Sequence, residues 1–284
     1  MGEPEEVDDM RACLRRYLID WVLFAVVASG AAACAAAETP PPLSWDEFRA
    51  QASREQDTGI YLINGDEPAE SLDELADAYR RYRADADRGP AAVEQTLVVN
   101  QSGGEDDRWP ADEAEHITYC VSEESFDSDH GRVVRALAAA ARSWESAARV
   151  NFIHVSGQDA DCTRSNDQVV FDVRQVCSGE YLARSFFPSS SQRGRELLID
   201  CSAFDDIEPY TLAGIVRHEL GHTLGFRHEH TRPEAGTCFE DDDWRPLTEY
   251  DAASVMHYPQ CGGTNQGDLV LTDLDRAGAA RLYP

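Results

Sequence analysis

The stretch from residue 218 to residue 228 reads His-Glu-Leu-Gly-His-Thr-Leu-Gly-Phe-Arg-His, and it decides the fold expected around it. His218 and His222 are four residues apart, so on a helix both imidazoles project from one face and can bind one ion. Gly225 tolerates positive φ, which lets the helix end and the chain turn so that His228 returns as a third ligand. Three protein ligands leave a fourth position for water, as in a catalytic zinc site.

A second motif follows downstream, where residues 254–258 read Ser-Val-Met-His-Tyr. A long histidine motif followed by a Met-turn is the metzincin signature. The sequence therefore resembles the metzincin zinc metallopeptidases over roughly residues 115–284. It is most similar to astacins and to bacterial HEIGH-type metallopeptidases, because Phe226 and Glu229 flank the third histidine as in astacins.

Two positions depart from the patterns of these branches. Arg232 fits the arginine expected after the third histidine, but residues 233–235 read Pro-Glu-Ala instead of an acidic-basic-acidic triplet. Leu220 stands where the HEIGH consensus has isoleucine. The resemblance is therefore highly specific for the zinc site and weaker for the branch.

The resemblance implies an α+β fold. We expect a mixed twisted sheet, an active-site helix, a Met-turn and a C-terminal helix, preceded by a small N-terminal module. It also implies one Zn²⁺ per chain, held by His218, His222 and His228. Glu219 would be the general base, and Tyr258 would move between the metal and the tetrahedral intermediate. Met256 would form the floor of the site without being a ligand.

The charge of the chain restricts its partners. The 284 residues include 53 acidic and 25 basic side chains, which gives a formal net charge of −28. Nucleic acids and anionic membrane surfaces are themselves negative, so we exclude them as partners. Protein or peptide substrates are the expected partners, and the sequence does not define the oligomeric state.

The N-terminus has the pattern of an export signal. Basic residues precede an apolar run at residues 21–33 that is too short to span a bilayer, so residues 1–33 are predicted to be a signal peptide. Residues 34–42 form a Pro-rich spacer. Cys34 is a candidate lipidation site, and simple cleavage at an Ala-x-Ala site is the alternative. The protein is thus predicted to be secreted or extracytoplasmic, either released or lipid-anchored on a bacterial surface, where the anchor would be its only membrane contact.

Six cysteines lie beyond Cys34, at residues 120, 162, 177, 201, 238 and 261. An even number in an exported chain predicts up to three disulfides, in any of fifteen pairings. We favour Cys238–Cys261, because this pair would staple the loop that leads into the Met-turn.

Residues 43–104 are predicted to be a propeptide, and residues 105–284 the catalytic domain. Capping-box patterns at Ser44–Glu47 and Ser71–Glu74 predict two short helices in the first part. Asp66 lies in a Gly-Asp element that resembles the one with which astacin propeptides occupy the zinc. A Gly-Asp turn between a strand and a helix is the alternative.

Apolar patterning in the predicted catalytic domain favours strands at residues 116–121, 150–155, 168–173 and 196–201. It also favours helices at residues 134–148, 211–224 and 274–282. Strand 196–201 is expected at the edge of the sheet, where an extended substrate could pair with it. The acidic run at residues 240–243 is either a solvated loop or a Ca²⁺ site.

Two functions from different classes follow. The first is a secreted zinc endopeptidase that hydrolyses proteins with metal-activated water and Glu219 as base. The alternative is a non-catalytic, zinc-containing surface lipoprotein that acts as a binding module. Glu219 favours the first, because a binding module needs no general base beside its metal.

Overall fold

A computed structural model describes residues 42–56, 58–86, 97–205, 207–238, 240–241, 243–264 and 268–284. The predicted signal peptide, Cys34 and all but the last residue of the predicted spacer lie outside these residues. The chain from Pro42 to Pro284 forms one compact unit. Among the described residues, none of the helices has the length and apolar character needed to cross a membrane.

Residues 42–86, here called the N-terminal segment, contain two helices and a small antiparallel sheet. The elements are α1 (Trp45–Gln51), β1 (Ser53–Arg54), β2 (Tyr61–Ile63), β3 (Glu67–Ala69) and α2 (Leu72–Ala86). α1 begins with the predicted capping box, in which Ser44 and Glu47 bond each other's backbone N–H groups. The two helices pack through aromatic rings, with the Phe48 and Tyr79 centroids 5.3 Å apart.

Residues 97–284, here called the main region, hold the other elements. They are β4 (Val98–Ser102), β5 (Glu105–Asp106), α3 (Ala111–Ala114), β6 (Ile117–Val121), α4 (Glu123–Phe126), α5 (His130–Glu145), β7 (Phe152–His154), β8 (Phe171–Val176), β9 (Ala183–Arg184), β10 (Glu196–Asp200), α6 (Leu212–Thr223), β11 (Trp244–Pro246) and α7 (Asp273–Leu282). The predicted α+β class is confirmed by this mixture of a twisted sheet and packed helices.

The central sheet has five strands in the order β7-β6-β8-β10-β9. β7, β6, β8 and β10 are parallel, and β9 is antiparallel to β10. The prediction that residues 196–201 form the edge strand is therefore wrong, because β9 covers that side of β10. The two-residue strand β9 has no periodic pattern that a sequence could reveal.

β4 lies at the start of the main region and pairs with residues from its last third. It pairs with β11 in an antiparallel ladder, and Val99 bridges to Phe226, just after the active-site helix. Val98 and Val99 are fully buried. β4 thus packs with the main region, although it lies within residues 43–104, the range predicted to be a propeptide. That boundary stays a prediction.

Helices α5 and α6 pack against each other, and α6 carries two of the predicted metal ligands. The indole of Trp144, on α5, donates a 2.9 Å hydrogen bond to the carbonyl of Arg217 on α6 and stacks on Phe226. α7 begins with the predicted capping box of Thr272 and Asp275. The Asp275 carboxylate also accepts bonds from the Ser254 hydroxyl (2.6 Å) and the Val255 N–H (2.9 Å), which ties α7 to the Met-turn.

Gly225 is the residue that ends α6 and redirects the chain. Its φ is +91°, and a Cβ at this position would lie 1.9 Å from the carbonyl oxygen of Asp107. We therefore expect Gly225→Ala to lower the free energy of unfolding by about 2–5 kcal/mol, from left-handed strain (~1–2 kcal/mol) and overpacking (~1–3 kcal/mol). Urea denaturation of the two proteins measures this difference.

Gly103 provides the matched control for that substitution. It also has positive φ (+64°), but no atom lies within 4 Å of where its Cβ would be. Gly103→Ala should show the backbone strain alone, about 1–2 kcal/mol. Equal losses for the two variants would show that the close approach to Asp107 is unimportant.

Candidate metal centre

The active-site helix presents two of the predicted ligands. The Thr211 hydroxyl caps α6 by accepting a 3.1 Å hydrogen bond from the N–H of Gly214. His218 and His222 lie one turn apart, with ring centroids separated by 5.0 Å. After the turn at Gly225, the ring of His228 lies 5.3 Å from that of His218 and 4.8 Å from that of His222. The structure therefore brings the three predicted imidazoles together.

Hydrogen bonds fix the orientation of each ring. Nδ1 of His218 lies 2.8 Å from the Val255 carbonyl oxygen, and Nδ1 of His222 lies 2.8 Å from the Phe226 carbonyl oxygen. A carbonyl oxygen only accepts, so both Nδ1 atoms carry a proton, and in a neutral imidazole this leaves Nε2 with the lone pair that a metal requires. Nδ1 of His228 lies 2.6 Å from Oε1 of Glu240.

The Nε2 atoms of the three histidines are buried and make no hydrogen bond with the described part of the chain. One ligand atom from each of them lies within 4.8 Å of the others, and a carboxylate oxygen of Asp66 lies within the same limit. Buried imidazoles with bonded Nδ1 atoms and convergent Nε2 lone pairs fit Zn²⁺.

Asp66, from the turn between β2 and β3, reaches into this centre. Its Oδ1 lies 3.1 Å from Nε2 of His228, and its Oδ2 lies 3.6 Å from Nε2 of His218 and 3.9 Å from Nε2 of His222. Oδ2 also accepts a short hydrogen bond from the hydroxyl of Tyr258. Burial alone would raise the pKa of Asp66, but His228 and the other imidazoles outweigh it and hold that pKa well below its usual value.

The other predicted site residues lie around the imidazoles. Glu219 is buried, and burial, followed by the charge of Asp66, raises the pKa of its carboxyl group well above the usual value. The ring of Tyr258 lies 4.4 Å from that of His228, and burial raises its pKa. Met256 is buried beneath α6, where its sulfur lies 2.3 Å from the place a Cβ on Gly221 would take.

The structure corrects the expectation that the acidic run at residues 240–243 is a solvated loop or a Ca²⁺ site. Glu240 and Asp241 are buried, so neither belongs to a solvated loop. Both pair with the buried guanidinium of Arg227, whose Nη2 lies 3.0 Å from Oε2 of Glu240. With these contacts, the two carboxylates neutralise an arginine, and the expectation of a Ca²⁺ site is wrong for them.

The N-terminal segment also contacts the main region through residues other than Asp66. Arg184, at the end of β9, is fully buried and donates from Nε and Nη2 to the two carboxylate oxygens of Glu55, at 2.6 and 2.8 Å. The Tyr181 hydroxyl donates to Glu55 as well, at 2.7 Å. Glu67 pairs with Arg227 at 3.1 Å. None of these contacts has a local sequence pattern, and sequence reasoning missed them.

Three other polar residues have their partners outside the centre. Glu229 is fully buried, and its Oε1 accepts a 3.1 Å bond from the N–H of Asp251. His130 and His154 also lie outside the centre. Nε2 of each ring lies 3.0–3.1 Å from the carboxylate of Asp159.

The described residues contain three disulfides, which agrees with the prediction of up to three. They are Cys120–Cys162, Cys177–Cys201 and Cys238–Cys261. The favoured pair Cys238–Cys261 is confirmed. It joins the segment before Glu240 to the residues after the Met-turn.

Comparisons with known proteins agree with the motif. Residues 108–235 match the family model of the matrixins. Three relatives are similar to shorter parts of the chain. Protein SpAN of Strongylocentrotus purpuratus is 31% identical over 88 residues, or 24% of this chain and 14% of the relative. Zinc metalloproteinase nas-30 of Caenorhabditis elegans is 37% identical over 76 residues, or 20% of this chain and 10% of the relative. Bone morphogenetic protein 1 of Xenopus laevis is 33% identical over 139 residues, or 42% of this chain and 17% of the relative.

The chain thus spans less than a fifth of the length of each of these three relatives. Two solved structures are also similar. Myroilysin shares 18% identity with a TM-score of 0.45, over 66% of this chain and 98% of that chain. The hatching enzyme HCE-1 of Oryzias latipes shares 23% identity with a TM-score of 0.33, over 50% of this chain and 67% of that chain. The matrixin match and the relatives confirm the resemblance to the metzincin metallopeptidases.

Proposed function

We propose that this protein is a zinc-dependent endopeptidase, with an astacin-like site, that hydrolyses peptide bonds in proteins. The observation that carries the proposal is the set of three buried Nε2 atoms, of His218, His222 and His228, which converge with a carboxylate oxygen of Asp66. The buried Glu219 directly follows His218 in the chain, and its carboxylate interacts electrostatically with Asp66 and His228. A matrixin family match and the zinc metalloproteinase nas-30 among the relatives support it.

One Zn²⁺ held by the three imidazoles would supply Lewis acidity, which lowers the pKa of water and stabilises negative charge on the scissile carbonyl oxygen. Glu219 would accept the proton of the attacking water and deliver it to the leaving amine. Tyr258 would donate a hydrogen bond to the developing oxyanion.

The sheet offers a place for the substrate backbone. β9 is the last strand of the five-stranded sheet and runs antiparallel to β10. An extended peptide can add to such a strand by main-chain hydrogen bonds. Because Arg184 lies on β9 and holds Glu55, the N-terminal segment would have to leave before a substrate could use this strand fully.

Metal removal tests the proposal. The processed chain should hydrolyse casein, a zinc chelator should abolish hydrolysis, and added Zn²⁺ should restore it. The measurement is the rate of release of acid-soluble peptides. Activity that continues in excess chelator, after zinc content has fallen to zero, would contradict the proposal.

We also propose that residues before the main region keep the enzyme latent. Asp66 would take the place of water at the zinc until the N-terminal segment is cut away, and its distances to the three imidazoles support this. The cut would fall before Leu97, because Leu97 and β4 pack into the main region. A cut in the exposed turn at Gly103 and Gly104 would instead separate β4 from the residues that follow.

An extracytoplasmic location is the third part of the proposal. Three disulfides support it, because such bonds persist in oxidising compartments. The signal peptide over residues 1–33 and the lipidation of Cys34 remain predictions from the sequence.

A further inference from the structure

The three imidazoles of the candidate metal centre have unequal partners. His218 and His222 donate from Nδ1 to backbone carbonyl oxygens, whereas His228 contacts the carboxylate of Glu240 at 2.6 Å. A carboxylate is a stronger acceptor than a carbonyl group. It therefore pushes more electron density onto the imidazole and makes Nε2 of His228 a more basic ligand.

The Glu240 carboxylate is itself held from several sides. Its Oε1 also lies 3.1 Å from Nε2 of His230, and its Oε2 accepts from Nη2 of Arg227 at 3.0 Å. The ring of His230 stacks on that of His228, with centroids 4.6 Å apart. The disulfide Cys238–Cys261 fixes the chain two residues before Glu240. A buried carboxylate with this many contacts is held in place, so it fixes the direction of the His228 ring.

We infer that Glu240 is a positioning residue for the third zinc ligand: it orients His228 and increases its affinity for the metal, with Arg227 and His230 holding the carboxylate in place. The inference rests on the proposed zinc site. It goes beyond that proposal because the ligand motif, residues 218–228, contains no sign of Glu240, which lies twelve residues after His228.

Glu240→Gln tests the role. The amide keeps the size of the side chain but replaces the carboxylate with a weaker carbonyl acceptor. Loss of a partner of this kind lowers metal affinity by about 10–100-fold. We expect a decrease of that size in the zinc affinity of the full chain, measured by competition with a chromogenic chelator. Thermal unfolding of both metal-free proteins measures any general loss of stability.

Asp241→Asn is the matched control. Asp241 is buried, adjacent in sequence and paired with the same Arg227, but its side chain contacts no imidazole. This variant should bind zinc as tightly as the unsubstituted chain, even if its metal-free form is less stable. Equal weakening of zinc binding by the two substitutions would overturn the inference, since the effect would then come from the Arg227 network as a whole. Zinc binding by Glu240→Gln equal to that of the unsubstituted chain would overturn it too.

If Glu240→Gln does not fold, a measurement on the unsubstituted chain tests the inference instead. In the zinc-loaded, ¹⁵N-labelled protein, the Nδ1–H proton of His228 should resonate downfield of those of His218 and His222, because it alone faces a carboxylate. A His228 signal that coincides with the other two would overturn the inference. Failure of the unsubstituted chain to bind zinc would instead overturn the proposed function.

Discussion

Replacing Glu219 with glutamine should reduce peptide hydrolysis by about 10²–10⁴-fold, the usual contribution of a general acid–base. The amide cannot accept a proton from water or return one to the leaving amine. The three imidazoles keep their Nδ1 hydrogen bonds to Val255, Phe226 and Glu240, so the variant should bind one zinc ion per chain. The measurements are kcat/KM for a peptide substrate with the processed chain, and the zinc content by mass spectrometry.

Glu229→Gln is the control for that substitution. Glu229 is also a buried glutamate in the same segment, but its carboxylate contacts Asp251 and Arg232 instead of facing the imidazoles. This variant should retain most of the activity. Full activity of Glu219→Gln with zinc bound would show that another group is the base. Loss of zinc from that variant would show that Glu219 supports the metal site.

Replacing Asp66 with alanine should activate the unprocessed chain. The carboxylate contacts His228, His218 and Tyr258, and alanine removes all of these contacts together. Hydrogen bonds to charged groups contribute about 1.5–3 kcal/mol each. The unprocessed variant should therefore hydrolyse a small peptide about 10–100-fold faster than the unprocessed parent, a ratio that corresponds to one such bond, the one that Tyr258 donates. Initial rates with a fluorogenic peptide, with intact chain verified by mass, provide the measurement.

Glu70→Gln tests why the unprocessed chain is inactive. The cause is either the contact of Asp66 with the imidazoles or the docking of the N-terminal segment as a whole. Glu70 accepts hydrogen bonds from the backbone N–H and the hydroxyl of Ser191, at 3.0 and 2.6 Å, and so joins the same two parts of the chain. It makes none of the contacts that Asp66 makes. The Glu70 variant should stay inactive. If both variants gained activity equally, loosening of the segment would explain the gain, and the assignment of Asp66 would be wrong.

Much of the site could be predicted because its geometry is local. The spacing of His218 and His222 places two rings on one helix face, and Gly225 has the positive φ that the turn to His228 requires. The capping pattern of Thr272 and Asp275 marked the start of α7 within one residue of the prediction. Each of these sequence patterns lies within a few residues of the structural feature that it predicts.

Other features depend on residues far apart in sequence. Glu55 and Arg184 are separated by 129 positions, and no periodicity links them. β9 has two residues, too few to show alternation, so β10 was expected at the sheet edge. The acidic run at residues 240–243 was expected to be solvated or to bind Ca²⁺, because composition does not show that Arg227 lies opposite Glu240 and Asp241. Contacts between residues that are distant in sequence determine the structure at these positions.

The carboxylates of the N-terminal segment have a consequence for how the protein is made. Glu55 and Glu67 are counter-ions for Arg184 and Arg227, two guanidinium groups that are almost completely buried in the main region. A buried charge that loses a partner is strongly destabilised. Within the main region Arg184 also pairs with Glu196 at 3.3 Å, and Arg227 pairs with Glu240 and Asp241, so each arginine loses one of its counter-ions when the segment leaves. We therefore expect the segment to act as a template during folding, because it supplies each of the two arginines with an additional counter-ion as they close into the interior.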